Sequence, residues 1–559
     1  MGKIEIYDTT LRDGSQAEGV SFTLEDKIKV AEILGDFGID FIEGGWPGSN
    51  PKDISFFEKI RRKNFKKSKI VAFGSTRRKN CQAEKDPFLK KSLESETEYI
   101  TIFGKSWDLH VTDILRVSLD ENLRMIEDTI KYFISMGRKV FFDAEHFFDG
   151  YKRNPEYALK TIKVAEQFGA ERIILCDTNG GTLPFEIEKI IKDIKGKIKI
   201  PLGIHTHNDS GVAVANSIVA VKEGCIQVQG TMNGLGERCG NADLTSIIPI
   251  LQFKMGYKCI EENKLLFLTE ISRKIYELAN MIPVNNQPFV GLSSFSHKGG
   301  VHIDAVSKRS EAYEHIDPSL IGNKRKFLIS ELSGKSTILQ KLKGYDIEKK
   351  PELVKKILDM VGELENTGYQ FESAEGSFEL MVSKSLGKFE KFFQVEGFRV
   401  IVEKRGKRVI SEATVKIKLD RSIELTASEG NGPVNALDNA LRKAIEKIYP
   451  EIKNLKLTDY RVRILHPERA TGALTRVIIQ SVDEKDSWGT IGVSTDIIEA
   501  SWNALLDSFE YKLYKDKKQQ IKKFLKKDIS ISGFDDIFLS TLIKPQLTTV
   551  HQPFDKIAS

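Results

Sequence analysis

The amino-terminal half of this 559-residue chain is predicted to fold as a (β/α)8 TIM barrel, on three observations. Short β-branched or aromatic runs alternate with segments of helical period eight times in about 255 residues, whereas a doubly wound sheet would usually close after five or six strands. Most of the helical segments stop at glycine, as helix ends often do. Polar residues crowd the carboxyl ends of the strand runs, where this fold carries its chemistry.

The elements follow in order. KIEIYD is the first strand and leads into TTLRDG, which sets Arg12 and Asp13 side by side before the helix LEDKIKVAEILGDFG. DFIEGG ends at Glu43 and Trp46; KIVAFGS and EYITIFG are the third and fourth strands, and ENLRMIEDTIKYFISMG is the helix that follows. KVFFDAEHF brings Asp143 and Glu145, and RIILCD brings Asp177 and Thr178, with NPEYALKTIKVAEQFG between them as a helix. After the helix LPFEIEKIIKDI, LGIHTHND supplies His205 and His207, and IQVQG is followed by Asn233 and Glu237.

Residues two apart in a strand face the same way, so both imidazoles of HTH are expected at the barrel mouth. Asp13, on the strand that closes the barrel, completes a set of two imidazoles and a carboxylate that suits a divalent ion with open positions. Such an ion can polarise the carbonyl of a bidentate ligand, and a 2-oxo acid offers a keto oxygen and a carboxylate oxygen. Arg12 would meet charge on the keto oxygen, and Thr178 would hold the other carboxylate oxygen. Asn241 is either a further ligand or a helix cap before LTSIIPIL.

At these residues the chain resembles the Claisen-condensing acyltransferases that include the 2-isopropylmalate, homocitrate and citramalate synthases. The motifs are DTTLRDGSQ, IEGGWPGSNPKD, CDTNGGT, HTHNDSGVAVANS, NGLGERCGNADL, SHKGGVHIDAV and YEHIDPSLIG, and the likeness runs to about residue 515. The resemblance implies a metal-dependent barrel that condenses acetyl-CoA, as co-substrate, with a 2-oxo acid and then hydrolyses the thioester. It implies Asp13, His205 and His207 as ligands of a divalent metal (Mn, Mg or Zn), with Asn241 a nearby or fourth one. Arg12 would stabilise the keto oxygen, Thr178 would grip the carboxylate, and Glu145 would be the barrel's catalytic carboxylate. The base that takes the acetyl proton is implied to be His302 with Tyr313, contributed by the partner subunit of a homodimer with a shared active site.

Ser210, where leucine is more usual, together with Trp46, Pro47 and Gly48, is similar to a citramalate synthase subgroup. A bulky Trp46 would favour the methyl of pyruvate, unless it packs beneath a loop instead. Arg77 and Arg78 could meet coenzyme A phosphates, or the second carboxylate of 2-oxoglutarate; a solvated basic loop is the favoured reading.

The expected domains are the barrel (1–265), helical linker subdomains (266–388), a regulatory domain (389–515) and a basic helix and tail (516–559). In the third of these, strands FFQVEGFRVIVEK, RVISEATVKIKL and SIELTASEG lead to a helix with a stripe of Val434, Leu437, Leu441, Ile445 and Ile448 behind Pro433. The pattern then repeats, with Ile498, Trp502, Leu505 and Phe509 on the second helix, giving two βββα units. The resemblance implies that this module binds the pathway's end-product amino acid, isoleucine for a citramalate enzyme; a dimerisation domain alone is the alternative.

Lys and Arg (85) barely outnumber Asp and Glu (79), so nothing points to nucleic acid. Five cysteines without a CxxC pair read as reduced thiols. No run approaches the roughly 18 apolar residues of a membrane span, and no signal segment is seen, so a soluble cytoplasmic protein is expected.

Overall fold

The computed structural model describes residues 2–328, 351–406, 408–419, 422–484 and 486–526. They fall into two units, one drawn from 2–296 and 314–326 and the other from 297–313 and 327–526.

In the first unit eight parallel strands close a barrel in chain order: β1 (Glu5–Asp8), β2 (Phe41–Gly45), β3 (Lys69–Ser75), β4 (Tyr99–Lys105), β5 (Lys139–Glu145), β6 (Arg172–Asp177), β7 (Leu202–Thr206) and β8 (Gln227–Gly230). Closure is made by β1 against β8, with Tyr7 opposite Gln229. Helices begin and end where local chemistry dictates. Leu24–Phe37 starts at a reciprocal Thr23/Asp26 capping box and stops at Gly38, whose φ of 101° a side chain would resist.

The period of two separates the two faces of each strand. Outward residues such as Ile6, Ile42, Ile100, Phe142, Ile173 and Ile204 pack under the helices, while Tyr7, Phe41, Val71, Tyr99 and Phe141 form a separate cluster inside the bore. Burying a large apolar side chain of this kind contributes about 1.5–3 kcal/mol. At the amino-terminal end Glu5 accepts from Arg172 (3.0 Å) and Gln227 (3.3 Å). Toward the other end the inward positions include the polar Glu43, Thr101, Asp143, His205 and Gln229 beside the aromatic Phe73 and Phe103, and this fold carries its chemistry at that mouth.

The fifth strand is shorter than KVFFDAEHF implied. It ends at Glu145, and His146, at φ 56°, turns the chain into a short helix, Phe147–Arg153, ahead of Pro155–Gln167.

The second unit contains both expected βββα repeats. Strands Gln394–Arg405, Arg408–Lys418 and Ile423–Gly430 form one antiparallel sheet with helix Pro433–Ile445, and Lys456–Leu465, Leu474–Val482 and Ser487–Ser494 form the other with helix Ile497–Lys526. Each first strand carries a bulge near its start, at Val395/Gly397 and at Leu457/Asp459. Leu437, Leu441 and Ile445 are buried, but Ile448 lies past the helix end and is half exposed. The basic stretch to Lys526 is not a separate helix; it continues the one that begins at Ile497. The expected tail, 527–559, lies outside the described residues, as does the 329–350 part of the linker.

The linker also divides. Helix Leu268–Leu278 belongs to the first unit, whereas Pro351–Asn366 and Glu375–Ser385 pack in the second through Ile357, Val361, Phe378 and Ile491. Among the described residues no helix is long and apolar enough to cross a membrane.

Candidate functional site

Asp13 follows β1, and β7 carries His205 with His207 just past its end. Asp13 Oδ2 lies 3.3 Å from His205 Nε2 and 3.7 Å from His207 Nε2, and the two Nε2 atoms are 3.2 Å apart. All three side chains are buried. Ligand atoms about 2.1 Å from one ion would be spaced by about 3.0 Å in an octahedron and about 3.4 Å in a tetrahedron, so this triangle fits one face of a divalent ion's shell.

The groups behind the triangle aim it. His205 Nδ1 donates to Gln229 Oε1 (3.0 Å), and Gln229 Nε2 donates to Asp143 Oδ1 (3.2 Å), which leaves the Nε2 lone pair of His205 for the ion. Asn241 is not the helix cap; Asp243 is, accepting from Thr245 N at 2.8 Å. Asn241 instead pairs along the backbone with His207, donates from Nδ2 to Leu235 O, and keeps a buried Oδ1 with no partner among the described residues. An orphaned buried acceptor beside a ligand suits a fourth donor to the ion.

Burial pushes the Asp13 carboxyl up, but Arg12 and the imidazoles outweigh it and hold the group well below the usual carboxylate range. For His205 burial is likewise outweighed, by Asp13, and its value rises. Burial and then His205 push His207 down to about 4. Asp143 is pushed up to about 7 by burial and by Glu43.

Arg12 and Asp13 do touch, at 3.4 Å, but Arg12 is held elsewhere: Nε donates to Glu43 Oε1 at 2.5 Å, and its guanidinium lies 3.8 Å from the Phe73 ring centre. Glu43 is fully buried, and its other oxygen accepts from Tyr7 Oη at 2.6 Å. Beside this pair Trp46 meets Phe73 and Phe103 edge-on, with centroids 5.8 and 5.6 Å away. Its backbone N–H donates to Asp53, which pairs with Lys27.

Thr178 Oγ1 accepts from His146 N (2.9 Å), which leaves its own proton to donate to a ligand. Its carbonyl accepts from Arg238, which pairs with Asp209. Glu145 pairs with Lys105 at the ends of β5 and β4. The basic pair after β3 is divided: Arg77 is buried, whereas Arg78 stays exposed, as a solvated loop would have it. Arg77 is buried against Glu121 (3.0 Å) and Asp128 (2.7 Å), and Arg78 leans on Asp86 (3.5 Å), because carboxylates on the neighbouring helices reach them. His302 and Tyr313 are in the second unit, exposed, with their rings 4.2 Å apart.

Sequence reasoning assigned no role to Gln229, Tyr7, His110 or His146. Only His146 left a signal, as a third polar residue at the end of a strand run.

A closed parallel barrel with an Asp/His/His triangle at its mouth, followed by a doubled sheet-and-helix module, defines the class. Residues 3–274 match the HMGL-like family, 289–368 the homocitrate synthase post-HMGL domain-like family and 372–513 the LeuA allosteric (dimerisation) domain. The chain is 54% identical to the (R)-citramalate synthase of Geobacter sulfurreducens, over 92% of this chain and 98% of that one. It is also 54% identical to the one from Aquifex aeolicus (93% and 99% covered) and 48% identical to the one from Synechocystis (91% and 96%). The chain belongs to the (R)-citramalate synthase family.

Proposed function

We propose that the protein condenses acetyl-CoA with pyruvate to citramalate and coenzyme A. The observation that carries this reading is identity of 54%, over nearly the whole of both chains, to proteins bearing that name, with the Asp13/His205/His207 triangle intact. The bulk of Trp46, Phe73 and Phe103 packed edge-on beside the Arg12 guanidinium supports the choice of a small 2-oxo acid such as pyruvate. Burial of Arg77 against Glu121 and Asp128 takes one member of the basic pair away from a second substrate carboxylate.

Asp13, His205 and His207 would hold a divalent ion, with Asn241 as a further donor, and the ion would supply Lewis acidity to the keto acid. Arg12, locked by Glu43, stands ready to offset negative charge on the keto oxygen without reorganising. The hydroxyl proton of Thr178 is free to bind the substrate carboxylate. Glu145, held by Lys105, is the barrel's own catalytic carboxylate in this reading. His302 and Tyr313, stacked and exposed, are a base pair presented to the barrel of a second subunit. The LeuA-type module would take isoleucine as feedback inhibitor.

Purified protein incubated with acetyl-CoA and a panel of 2-oxo acids should release free thiol fastest with pyruvate. A chelator should stop the release and isoleucine should slow it. Absence of thiol with every 2-oxo acid and metal would refute the synthase reading, and faster release with 2-oxoisovalerate would reassign the substrate.

A further inference from the structure

We propose that His146, oriented by Asp149, activates the water that hydrolyses the citramalyl thioester. This rests on the synthase reading, and it assigns the second half of that reaction to a separate cluster at the ends of β4, β5 and β6.

His146 Nδ1 lies 3.3 Å from Asp149 Oδ2, and Asp149 also accepts from Asn179 Nδ2 at 2.9 Å. A carboxylate on Nδ1 fixes the tautomer that leaves Nε2 able to take a proton, the arrangement used wherever an imidazole serves as a base. No described residue hydrogen-bonds to Nε2. The backbone N–H of His146 reaches Thr178 Oγ1 at 2.9 Å, which ties the dyad to the residue that would hold the substrate carboxylate.

Three further features mark the cluster as built for a ligand. His146 has φ 56°, in the left-handed region that residues other than glycine adopt only in a few per cent of cases, and non-glycine residues held there gather at functional sites. The chain after β4 forms a short π-helix at His110–Leu115, a rare geometry with the same tendency. His110 and Trp107 stack on each other and lie 4.1 and 5.5 Å from His146 between ring centres, yet Trp107 Nε1 and His110 Nδ1 are buried with no partner among the described residues. An indole N–H can only donate, so the unpartnered Trp107 Nε1 offers itself to an oxygen that the protein does not supply. A thioester carbonyl on its way to a tetrahedral oxyanion is such an oxygen.

The step balances as follows. Nε2 of His146 takes one proton from water as the water oxygen bonds to the thioester carbonyl carbon. The tetrahedral intermediate then collapses, the carbon–sulfur bond breaks, and the proton on His146 passes to the departing thiolate. The products are citramalate and coenzyme A.

The test separates the two half-reactions in the full chain. His146→Asn removes the base while keeping a residue that tolerates positive φ, and Asp149→Asn removes the orienting charge at constant size. Pyruvate consumption reports condensation, free thiol reports hydrolysis, and mass spectrometry of the acyl-CoA pool reports the intermediate. General-base catalysis contributes about 10²–10⁴-fold, so His146→Asn should slow hydrolysis by about 100-fold or more while pyruvate consumption in the first turnover changes less than about threefold. Citramalyl-CoA should then accumulate, with a smaller accumulation in Asp149→Asn. Hydrolysis of added citramalyl-CoA at the wild-type rate, or equal loss of both steps in both variants, would overturn the assignment. If wild-type protein releases no thiol from pyruvate and acetyl-CoA, it is the synthase reading that fails instead.

Discussion

At the scale of single residues the site is a set of side chains each held by a neighbour of suitable charge. His205 is raised by Asp13 above the ordinary imidazole value, so a metal competes there with a more firmly held proton, whereas His207, at about 4, is neutral near pH 7. Metal affinity should therefore rise with pH as His205 loses its proton, with proton release on binding. Calorimetry in two buffers of different ionisation enthalpy reads that proton directly, and Asp13→Asn should abolish the binding heat. Tyr7→Phe should cost about 1–3 kcal/mol in denaturant unfolding, because it leaves a buried Glu43 oxygen without its donor. Activity should fall as well, through the loosened Arg12. Asp13, His205 and His207 were legible in sequence because period two and strand order suffice to bring them together. Gln229 and Tyr7 were not: a glutamine or tyrosine inside a strand run acquires meaning only when closure of the barrel decides what faces it.

At the scale of elements, loops at the carboxyl ends of strands set the pocket, and rigid pairs hold the loops. The Gly45–Trp46 turn is pinned by Asp53, whose carboxylate occupies the space where a side chain on Gly45 would be, and Lys27 neutralises it from α1 (Leu24–Phe37). Trp46 is thus a fixed wall. Trp46→Ala should raise kcat/KM for 2-oxobutanoate relative to pyruvate by about tenfold, as the difference of a methylene in an apolar pocket allows. Steady-state kinetics with both acids checks this. The bulk of Trp46 was readable in sequence, but its partners Phe73 and Phe103 were not, since they come from two other strands. Nor could the sequence anticipate that KVFFDAEHF would stop at Glu145, because alternation continues smoothly past the residue where His146 turns left-handed.

At the scale of the molecule, eight repeats of strand and helix and two of βββα were countable from rhythm alone, whereas the division of the linker between two units depends on distant packing that no local pattern records. In the proposed shared site, Arg12→Ala and His302→Ala should each be inactive as homodimers, but mixed dimers, with one intact site of two, should recover up to about half of the wild-type activity. Co-purified, differently tagged subunits measure it, and silent mixed dimers would place both residues in one subunit's site. The pairing seen around the mouth also bears on which acids can enter. Arg12 is matched by Glu43, Lys105 by Glu145 and Arg238 by Asp209, so these fixed ions sum to zero. A divalent ion held by one carboxylate and two neutral imidazoles would leave a single positive charge. One carboxylate would cancel it, whereas a second would bring an excess of negative charge that these pairs do not offset, so on the proposed reading 2-oxo acids would be sorted by valence as well as by size.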